Sequence, residues 1–157
     1  MPDLDHLFRT YNAALVRYLT RQLGDRDWAE EVAQETFLRA ARQDTITSER
    51  SWLFAVATNL VRDEARREVR QRKHLELLQA ESRDAMVESP ALSLERREEA
   101  LAAQKALATL SERDREALLM REEGLDYQEI ARALDLSVGS VGTTLARARR
   151  QIGRAHV

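Results

Sequence analysis

Glycine and proline are scarce in this chain, and their scarcity limits the folds that it can adopt. Only 5 glycines and 2 prolines occur among 157 residues, and one of the prolines is residue 2. Hairpins and tight turns depend on these two residue types, so long helices are expected and β-hairpins are not. Apolar residues recur at steps of three and four through most of the chain, as in amphipathic helices. The pattern therefore predicts an all-α fold.

One longer stretch of the chain loses the helical pattern altogether, and this stretch predicts two small helical domains. Residues 80–93 mix charged residues and serines with Pro90, and proline disfavours helix at the residue before it. We interpret 80–93 as a linker between a first domain, 1–79, and a second domain, 94–157. The expected helices span residues 4–23, about 28–40 and about 48–78, then about 94–110, 112–123, 127–134 and 138–152.

Several helix ends carry residues suited to capping. Gly24 is expected to end the first helix, since glycine adopts the left-handed conformation without strain. Asp25 or Asp27 is expected to cap the second helix, and Ser48 or Ser51 is expected to begin the third. In the second domain, Ser111 and Ser137 precede predicted helices and are expected to cap them.

The net charge of −2 hides an uneven distribution along the chain. Arg62–Lys73 holds 6 basic and 3 acidic residues, and 145–157 holds 4 basic and no acidic residues. Residues 74–99 carry a net charge of −4. Basic residues at helix C-termini also have a purely structural explanation, because they interact favourably with the helix dipole. The two basic stretches nevertheless leave nucleic acid open as a partner, since binding depends on local charge.

Composition argues against several other classes of protein. The chain has no cysteine, which removes disulfides, thiol nucleophiles and cysteine-ligated metals and is compatible with a reducing, cytoplasmic setting. No apolar run is long enough for a bilayer, and the acidic N-terminus is unlike a signal peptide. Its 3 histidines are scattered, without metalloprotease spacing or a glycine-rich phosphate loop. We expect no enzyme activity, cofactor, metal or membrane insertion.

The segment 124–152 has the spacing of a helix-turn-helix, whose second helix enters the DNA major groove. Leu134 and Leu136 lie on either side of a tight turn, and Val138, Val141 and Leu145 are expected to face inward. An ordinary helical hairpin with a solvated basic face is the structural alternative. Small hydroxyls and arginine suit contacts with bases and phosphates. The residues expected on the outer, DNA-facing surface are Ser140, Thr143, Thr144, Arg147 and Arg149.

A second segment, 52–67, runs from aromatic residues into a basic helix. Trp52 and Phe54 precede the polar Asn59, and arginines follow it. Such a surface can hold phosphates and unstacked bases. Taken alone, however, Trp52 and Phe54 are more often core residues than platforms for bases.

Three motifs in order resemble the extracytoplasmic-function (ECF) class of sigma factors in the sigma-70 family. The segment 27–40 resembles the family pattern Asp-x-Ala-Glu-Asp-x-x-Gln-Glu-x-Phe-x-x-Ala, with Glu31 in place of the second aspartate. The segment 52–67 resembles Trp-Leu-x-x-(Ile/Val)-Ala-x-Asn-x-x-x-Asp-x-x-Arg-Arg, and 110–116 begins a stretch similar to the second sigma domain. The resemblance covers nearly the whole chain.

The resemblance implies a division of labour between the two domains. The helix around 27–42 corresponds to the surface that binds the β′ coiled coil of core RNA polymerase, and the second domain would meet the β flap. The loop 44–50 corresponds to the pocket for a flipped base of the −10 promoter element. The implied polymerase-binding residues are Asp27, Glu31, Gln34 and Glu35. Those implied in −10 recognition and melting are Arg39, Trp52, Asn59, Arg62, Arg66 and Arg67. The helix-turn-helix corresponds to the −35 reader.

Other implications concern partners and specificity. Family membership would imply an anti-sigma factor that covers the polymerase-binding surfaces. Gly142 lies in the recognition helix where many family members have a larger, often basic residue, so a possible base or phosphate contact is missing here and the sequence does not define the −35 specificity.

A free-standing helix-turn-helix regulator is the alternative function, but it leaves the N-terminal motifs without a role. The sequence leaves open whether the two domains pack together or lie apart in the free chain.

Overall fold

The computed structural model describes residues 1–78 and 94–155 of the chain, with side chains at 1–64, 67 and 94–154. This part of the protein consists of helices without strands, which confirms the predicted all-α class. The predicted linker, 80–93, lies outside the described residues, and the domain limits 1–79 and 94–157 stay predictions. The helices are α1 (Leu4–Leu23), α2 (Arg26–Ala40), α3 (Glu49–Leu78), α4 (Leu94–Ala108), α5 (Glu112–Glu122), α6 (Tyr127–Leu134) and α7 (Val138–Ala155).

The connection between α1 and α2 follows from three neighbouring residues. Gly24 ends α1 in the left-handed region, with φ of 73°, and its N–H donates to the carbonyl of Thr20 at 2.7 Å. Asp25 then caps α2 by accepting a hydrogen bond from the backbone N–H of Trp28 at 3.1 Å. The predicted glycine stop is confirmed, and Asp25 is the capping residue of the two expected candidates.

The first domain is built from α1, α2 and α3 around a shared apolar core. A buried polar contact also joins α1 to α3, because the hydroxyls of Tyr18 and Thr58 lie 2.7 Å apart. The Tyr18 ring packs against Phe54 at 5.1 Å between centroids, and burial raises the pKa of the Tyr18 phenol. Phe54 is therefore a core residue. The apolar core includes Leu7, Leu15, Leu19, Val32, Phe37, Leu53 and Phe54.

The start of α3 is unusual because its first turn also contacts the second domain. The helix begins directly after Ser48, which has a φ of 53°, and the Ser48 carbonyl accepts from the N–H of Trp52. Ser48 thus occupies the start position, and Ser51 lies inside the helix. Left-handed backbone at a serine is uncommon, so the surrounding contacts must hold this turn in place.

The second domain consists of α4 to α7, with its core between α5, α6 and α7. Ser111 caps α5 as predicted, with its hydroxyl accepting from the N–H of Asp114 at 3.2 Å. Helix α5 ends at Glu122, one residue before the expected limit, and α7 continues to Ala155 rather than ending near residue 152. The core side chains are Leu119, Met120, Leu125, Ile130, Leu134, Val141 and Leu145.

The two domains pack directly against each other, which answers the question that the sequence left open. One cluster of buried residues runs through both domains, from Leu7 in α1 to Leu145 in α7. Helix α3 contacts α6, and α1 contacts α5. We call this packing of the domains the closed arrangement. Helix α4 is largely exposed, and its Leu94 and Leu101 side chains are both more than half accessible to solvent.

Candidate nucleic-acid interface

Helices α6 and α7 form the predicted helix-turn-helix. Asp126 and Glu129 make a capping box, in which each side chain accepts a hydrogen bond from the other residue's backbone N–H, at 2.8 and 2.9 Å. Asp135 ends α6 in the left-handed region, with φ of 57°. Ser137 caps α7 by accepting from the N–H of Ser140 at 3.2 Å. Local hydrogen bonds therefore fix both ends of the turn, and so the direction of α7.

The outer face of α7 carries only part of the predicted set of DNA-facing residues. Ser140, Thr143 and Arg149 are exposed, as expected. Thr144 is 5% exposed and lies among core residues, so the expectation that it faces outward is wrong. Val138 is wrong in the opposite sense, since it was expected to face inward and is half exposed. The periodicity of apolar residues therefore predicted the buried face of α7 correctly at Val141 and Leu145 but not at its edges.

Arg147 is engaged inside the second domain. Its guanidinium donates two hydrogen bonds to the carboxylate of Asp114, at 2.9 Å from Nε and 2.6 Å from Nη2. The Asp114 side chain is almost completely buried. Hydrogen bonding to Arg147 lowers the pKa of Asp114, because it favours the charged carboxylate. The expected role of Arg147 as a free DNA contact therefore competes with a structural role that links α7 to α5.

Gly142 and Tyr127 lie next to each other in the helix-turn-helix. A methyl group built at Gly142 would lie 3.6 Å from Cε2 of Tyr127, which is an ordinary van der Waals distance. Tyr127 is partly exposed, and the Arg121 guanidinium lies 5.7 Å from the centre of its ring. The tyrosine ring thus occupies the space beside a position that carries no side chain.

On α3, the candidate residues for the −10 element differ in their accessibility. Asn59 is exposed, and Arg67 is exposed and pairs with Glu64 at 3.0 Å. Trp52 is partly buried and packs against the core. The side chain of Arg66 lies outside the described residues. The structure thus leaves Asn59 and Arg67 accessible and makes Trp52 mainly a supporting residue.

Arg62 is held by a carboxylate of the other domain. Its Nε donates to the Glu116 carboxylate at 2.9 Å, and Glu112 lies 3.3 Å away. Glu116 belongs to α5 and is 1% exposed. Burial raises the pKa of Glu116, and hydrogen bonding to Arg62 opposes this shift. The arginine expected to bind phosphate is therefore already bound to an internal anion.

The end of the loop expected to form the −10 pocket also contacts the second domain. Arg50 donates to both carboxylate oxygens of Glu129, at 2.8 and 3.0 Å. The Ser51 hydroxyl donates to the Glu129 carbonyl at 2.9 Å, and Arg132 hydrogen bonds to the Ser48 hydroxyl. The N-terminal part of α6 therefore sits against the start of α3.

Sequence reasoning missed these cross-domain partners. Glu116 and Glu129 are separated from Arg62 and Arg50 by 54 and 79 residues, so no local pattern connects them. The capping box at Asp126 and Glu129 was detectable, because an Asp-x-x-Glu spacing before an apolar helix is a known start signal. The pairing of Arg147 with Asp114 depends on the packing of α7 on α5 and had no such signal.

The residues expected to bind polymerase lie together on α2. Asp27, Glu31 and Gln34 are exposed at steps of four and three, which places them on one face of the helix. Glu35 is partly buried and accepts from Nε of Arg39 at 3.1 Å. The opposite face, with Val32 among its members, packs into the core. Helix α2 thus presents an acidic outer face and a buried apolar face.

Two further features bear on the expected chemistry. Over the described ranges 1–78 and 94–155, no helix is long and apolar enough to cross a membrane. Within the same part of the chain, no three histidine, aspartate or glutamate side chains are grouped in a way that suits a metal ion.

Comparison with known proteins connects both domains to one family. The family models for Sigma-70 region 2 and for Sigma-70, region 4 match residues 7–71 and 100–152. The ferric citrate uptake sigma factor FecI of Escherichia coli (strain K12) is 34% identical over 152 residues, covering 92% of this chain and 85% of FecI. The ECF RNA polymerase sigma factor SigE of Mycolicibacterium smegmatis is 33% identical over 159 residues, covering 97% of this chain and 61% of SigE.

A solved structure shares the fold over almost the whole chain. It contains the sigma factor RpoE in complex with the anti-sigma factor NepR from Bartonella quintana. The TM-score is 0.71 at 22% sequence identity, and the match covers 99% of this chain and 97% of that chain. The similarity therefore includes both helical domains.

Proposed function

Because the chain belongs to the sigma-70 family, as a member of its ECF class, we propose that its first domain binds the −10 element and its second domain reads the −35 element. As a sigma factor, it binds core RNA polymerase and directs transcription initiation at selected promoters. The family is not a class of enzymes. A free-standing helix-turn-helix regulator is not favoured, because the family match includes residues 7–71 as well as the helix-turn-helix.

For the −35 element, we assign duplex recognition to the exposed face of α7. Ser140 and Thr143 are small, exposed and one turn apart, so they can approach base edges or phosphates. Arg149 extends this face with a charge that phosphate and guanine both attract. Arg147 belongs to the set only if DNA displaces Asp114 from its guanidinium. The exposed hydroxyl pair at the start of a well-capped helix is what supports this assignment.

For the −10 element, we assign the opened strand to α3 and the loop before it. Asn59 and Arg67 are exposed on α3, and Arg62 and Arg66 lie within the same basic stretch. Arg39 lies on α2 and is exposed, although it pairs with Glu35. Arginines that follow one helix face can bind successive phosphates, and extruding a base costs about a few kcal/mol that such contacts must offset. Trp52 is partly buried and packs against the core at the start of α3.

For polymerase, we assign the acidic outer face of α2 to the β′ coiled coil. Asp27, Glu31 and Gln34 carry this assignment, because they are exposed together on one side of a helix whose other side is fixed in the core. Glu35 contributes less, since Arg39 already occupies its carboxylate. The second domain is expected to meet the β flap through residues that the structure does not single out.

An anti-sigma factor is a further proposed partner. The RpoE structure, which shares this fold over both domains, contains such a protein. The expected effect is occlusion of polymerase-binding surfaces, which controls a chain that lacks a cysteine-based sensor of its own. Co-purification of the native chain followed by competition with core polymerase tests this partner.

The observation that carries the proposal is the presence of both sigma domains, in order, with an exposed asparagine and arginine on α3. The test is in vitro transcription with core RNA polymerase on genomic promoter fragments, followed by permanganate footprinting of the opened strand. Asn59→Ala should reduce strand opening while duplex binding and the circular dichroism spectrum stay unchanged. Asn12→Ala is the matched control, because Asn12 is the other asparagine of the chain and lies on α1. Absence of any promoter-dependent transcript, together with absence of core binding, would contradict the proposed function.

A further inference from the structure

An open groove lies on the first domain, between the second half of α1 and the first turn of α2. Its volume is about 520 Å³, which falls within the range of roughly 300–1,000 Å³ that is usual for small-molecule sites. Among the residues whose side chains are described, those assigned above to DNA or to polymerase do not line this groove. The proposed function therefore leaves the groove without a role.

The walls of this groove are basic. Arg17 and Arg21 lie one turn apart on α1, and Arg26 is the first residue of α2, so guanidiniums line the groove from two helices. Glu30 lines it as well. Three positive charges and one negative charge give these lining residues a net charge of +2. A concave surface with such an excess of one sign attracts ligands of the opposite sign.

Carboxylates of the chain occupy only part of these guanidiniums. In the closed arrangement, Arg17 donates to Glu123 from Nε and Nη2 at 3.1 and 2.9 Å, which leaves Nη1 outside this ion pair. Arg26 lies 3.6 Å from Glu30, and both side chains are mostly exposed, so this pair is weak. The exposed Arg21 side chain has no hydrogen bond or ion pair with any described residue. The groove thus offers donors that the protein itself leaves available.

Guanidinium groups match phosphate oxygens closely, because their planar N–H groups can form two parallel hydrogen bonds with one phosphate. A di- or triphosphate presents several such oxygens in a row, which suits arginines spread over two helices. Ala13 and Val16 also line the groove and add an apolar surface beside the arginines. We propose that the groove binds a small molecule through a di- or triphosphate group, with Arg17, Arg21 and Arg26 holding the phosphates.

The shared chemistry has two sources, an inorganic polyphosphate and a nucleotide. Isothermal titration calorimetry of the full chain with inorganic pyrophosphate and with ATP distinguishes them. Tighter binding of ATP would show that the apolar surface also contacts the nucleoside, and equal binding would show that the phosphates alone are recognised. If neither compound binds at millimolar concentration, the inference is wrong.

Two variants locate the binding on the groove. Arg21→Gln and Arg26→Gln each remove one guanidinium from one wall, and both residues are exposed, so the fold should survive, which circular dichroism checks. Each should weaken the binding of pyrophosphate and ATP by about tenfold, as expected for the loss of a charged hydrogen bond. Unchanged affinity in either variant would contradict a site that spans both helices.

Arg42→Gln is the matched control, because Arg42 is exposed in the same domain, does not line the groove and carries the same charge. It should leave both affinities unchanged. An equal loss in Arg42→Gln and Arg21→Gln would mean that the chain attracts polyanions in general, and this result would overturn the inference. The titrations contain neither polymerase nor promoter DNA, so their outcome is independent of the proposed function.

Discussion

The five glycines divide by backbone conformation, and this division predicts opposite effects of replacing them with alanine. Gly142 lies within α7 and has no positive φ. A methyl group added at Gly142 would contact only Tyr127, at 3.6 Å. Gly24 ends α1 with φ of 73°, and its added methyl group would meet the Gln104 side chain at 3.4 Å. The same chemical change is therefore free of strain at one position and strained at the other.

The magnitudes follow from helix and backbone preferences. Glycine inside a helix is about 0.5–1 kcal/mol less favourable than alanine, so Gly142→Ala should increase the free energy of unfolding by about that amount. Alanine in the left-handed region costs roughly 1–2 kcal/mol, so Gly24→Ala should decrease it. At roughly 2–4 °C per kcal/mol for a chain of this size, we expect Gly142→Ala to raise Tm by about 1–4 °C. Gly24→Ala should lower Tm by about 2–8 °C.

Thermal unfolding followed by circular dichroism measures both changes on the full chain. Gly139→Ala is a control within the same helix, since a methyl group there meets nothing within 4 Å, and it should not lower Tm. If Gly142→Ala lowers Tm as Gly24→Ala does, the packing of Tyr127 against α7 is wrong. The arguments about the exposed face of the recognition helix would then fail with it.

Three further changes test the polar contacts of the structure. Arg147→Ala should lower the urea midpoint of unfolding at pH 7, because it leaves the buried Asp114 carboxylate without its main partner; an unchanged midpoint with weaker duplex binding would instead make Arg147 a DNA contact. Asp114→Asn should destabilise the chain at pH 7, and the destabilisation should become smaller below about pH 4. The reason is that the pKa of Asp114 is lowered in the folded state, so the stability that its carboxylate contributes is lost as pH falls through that lowered value. Tyr18→Phe should lower the free energy of unfolding by about 1–2 kcal/mol, because it leaves the Thr58 hydroxyl without its partner. In urea titrations, the double variant Tyr18→Phe, Thr58→Val should lose less free energy of unfolding than the sum of the two single variants. Strict additivity would refute the buried contact.

Helix positions were predictable from the sequence because the signals that set them are local. The steps of three and four among apolar residues, the stop at Gly24 and the cap at Ser111 all act within one or two turns of the chain. The structure reproduces α1 and α6 with the limits that the sequence predicted. The edges of buried stripes were less certain, and Thr144 and Val138 were assigned to the wrong sides of α7.

The partners of the candidate site could not be predicted in the same way. Whether Arg62 meets DNA or Glu116 depends on how two domains pack, and neither residue carries a sequence signal for the other. Arg147 was assigned to the outer face because an arginine in a recognition helix suits DNA, yet a buried aspartate one helix away takes up its hydrogen bonds. Side-chain type indicated the chemistry of the site, whereas tertiary packing determined which groups were available for it.

Glu129 has a consequence for how this protein can change over generations. One of its carboxylate oxygens accepts from the backbone N–H of Asp126 at the start of α6 and also from Arg50 across the domain contact. A substitution at residue 129 therefore alters the helix start and the domain contact together, so selection acts on both traits at once. Glu123 lies beyond the end of α5 and binds only Arg17 among the side-chain contacts described here. Substitutions that change the strength of the domain contact are therefore expected at residues 17 and 123, whereas residue 129 is expected to stay constrained.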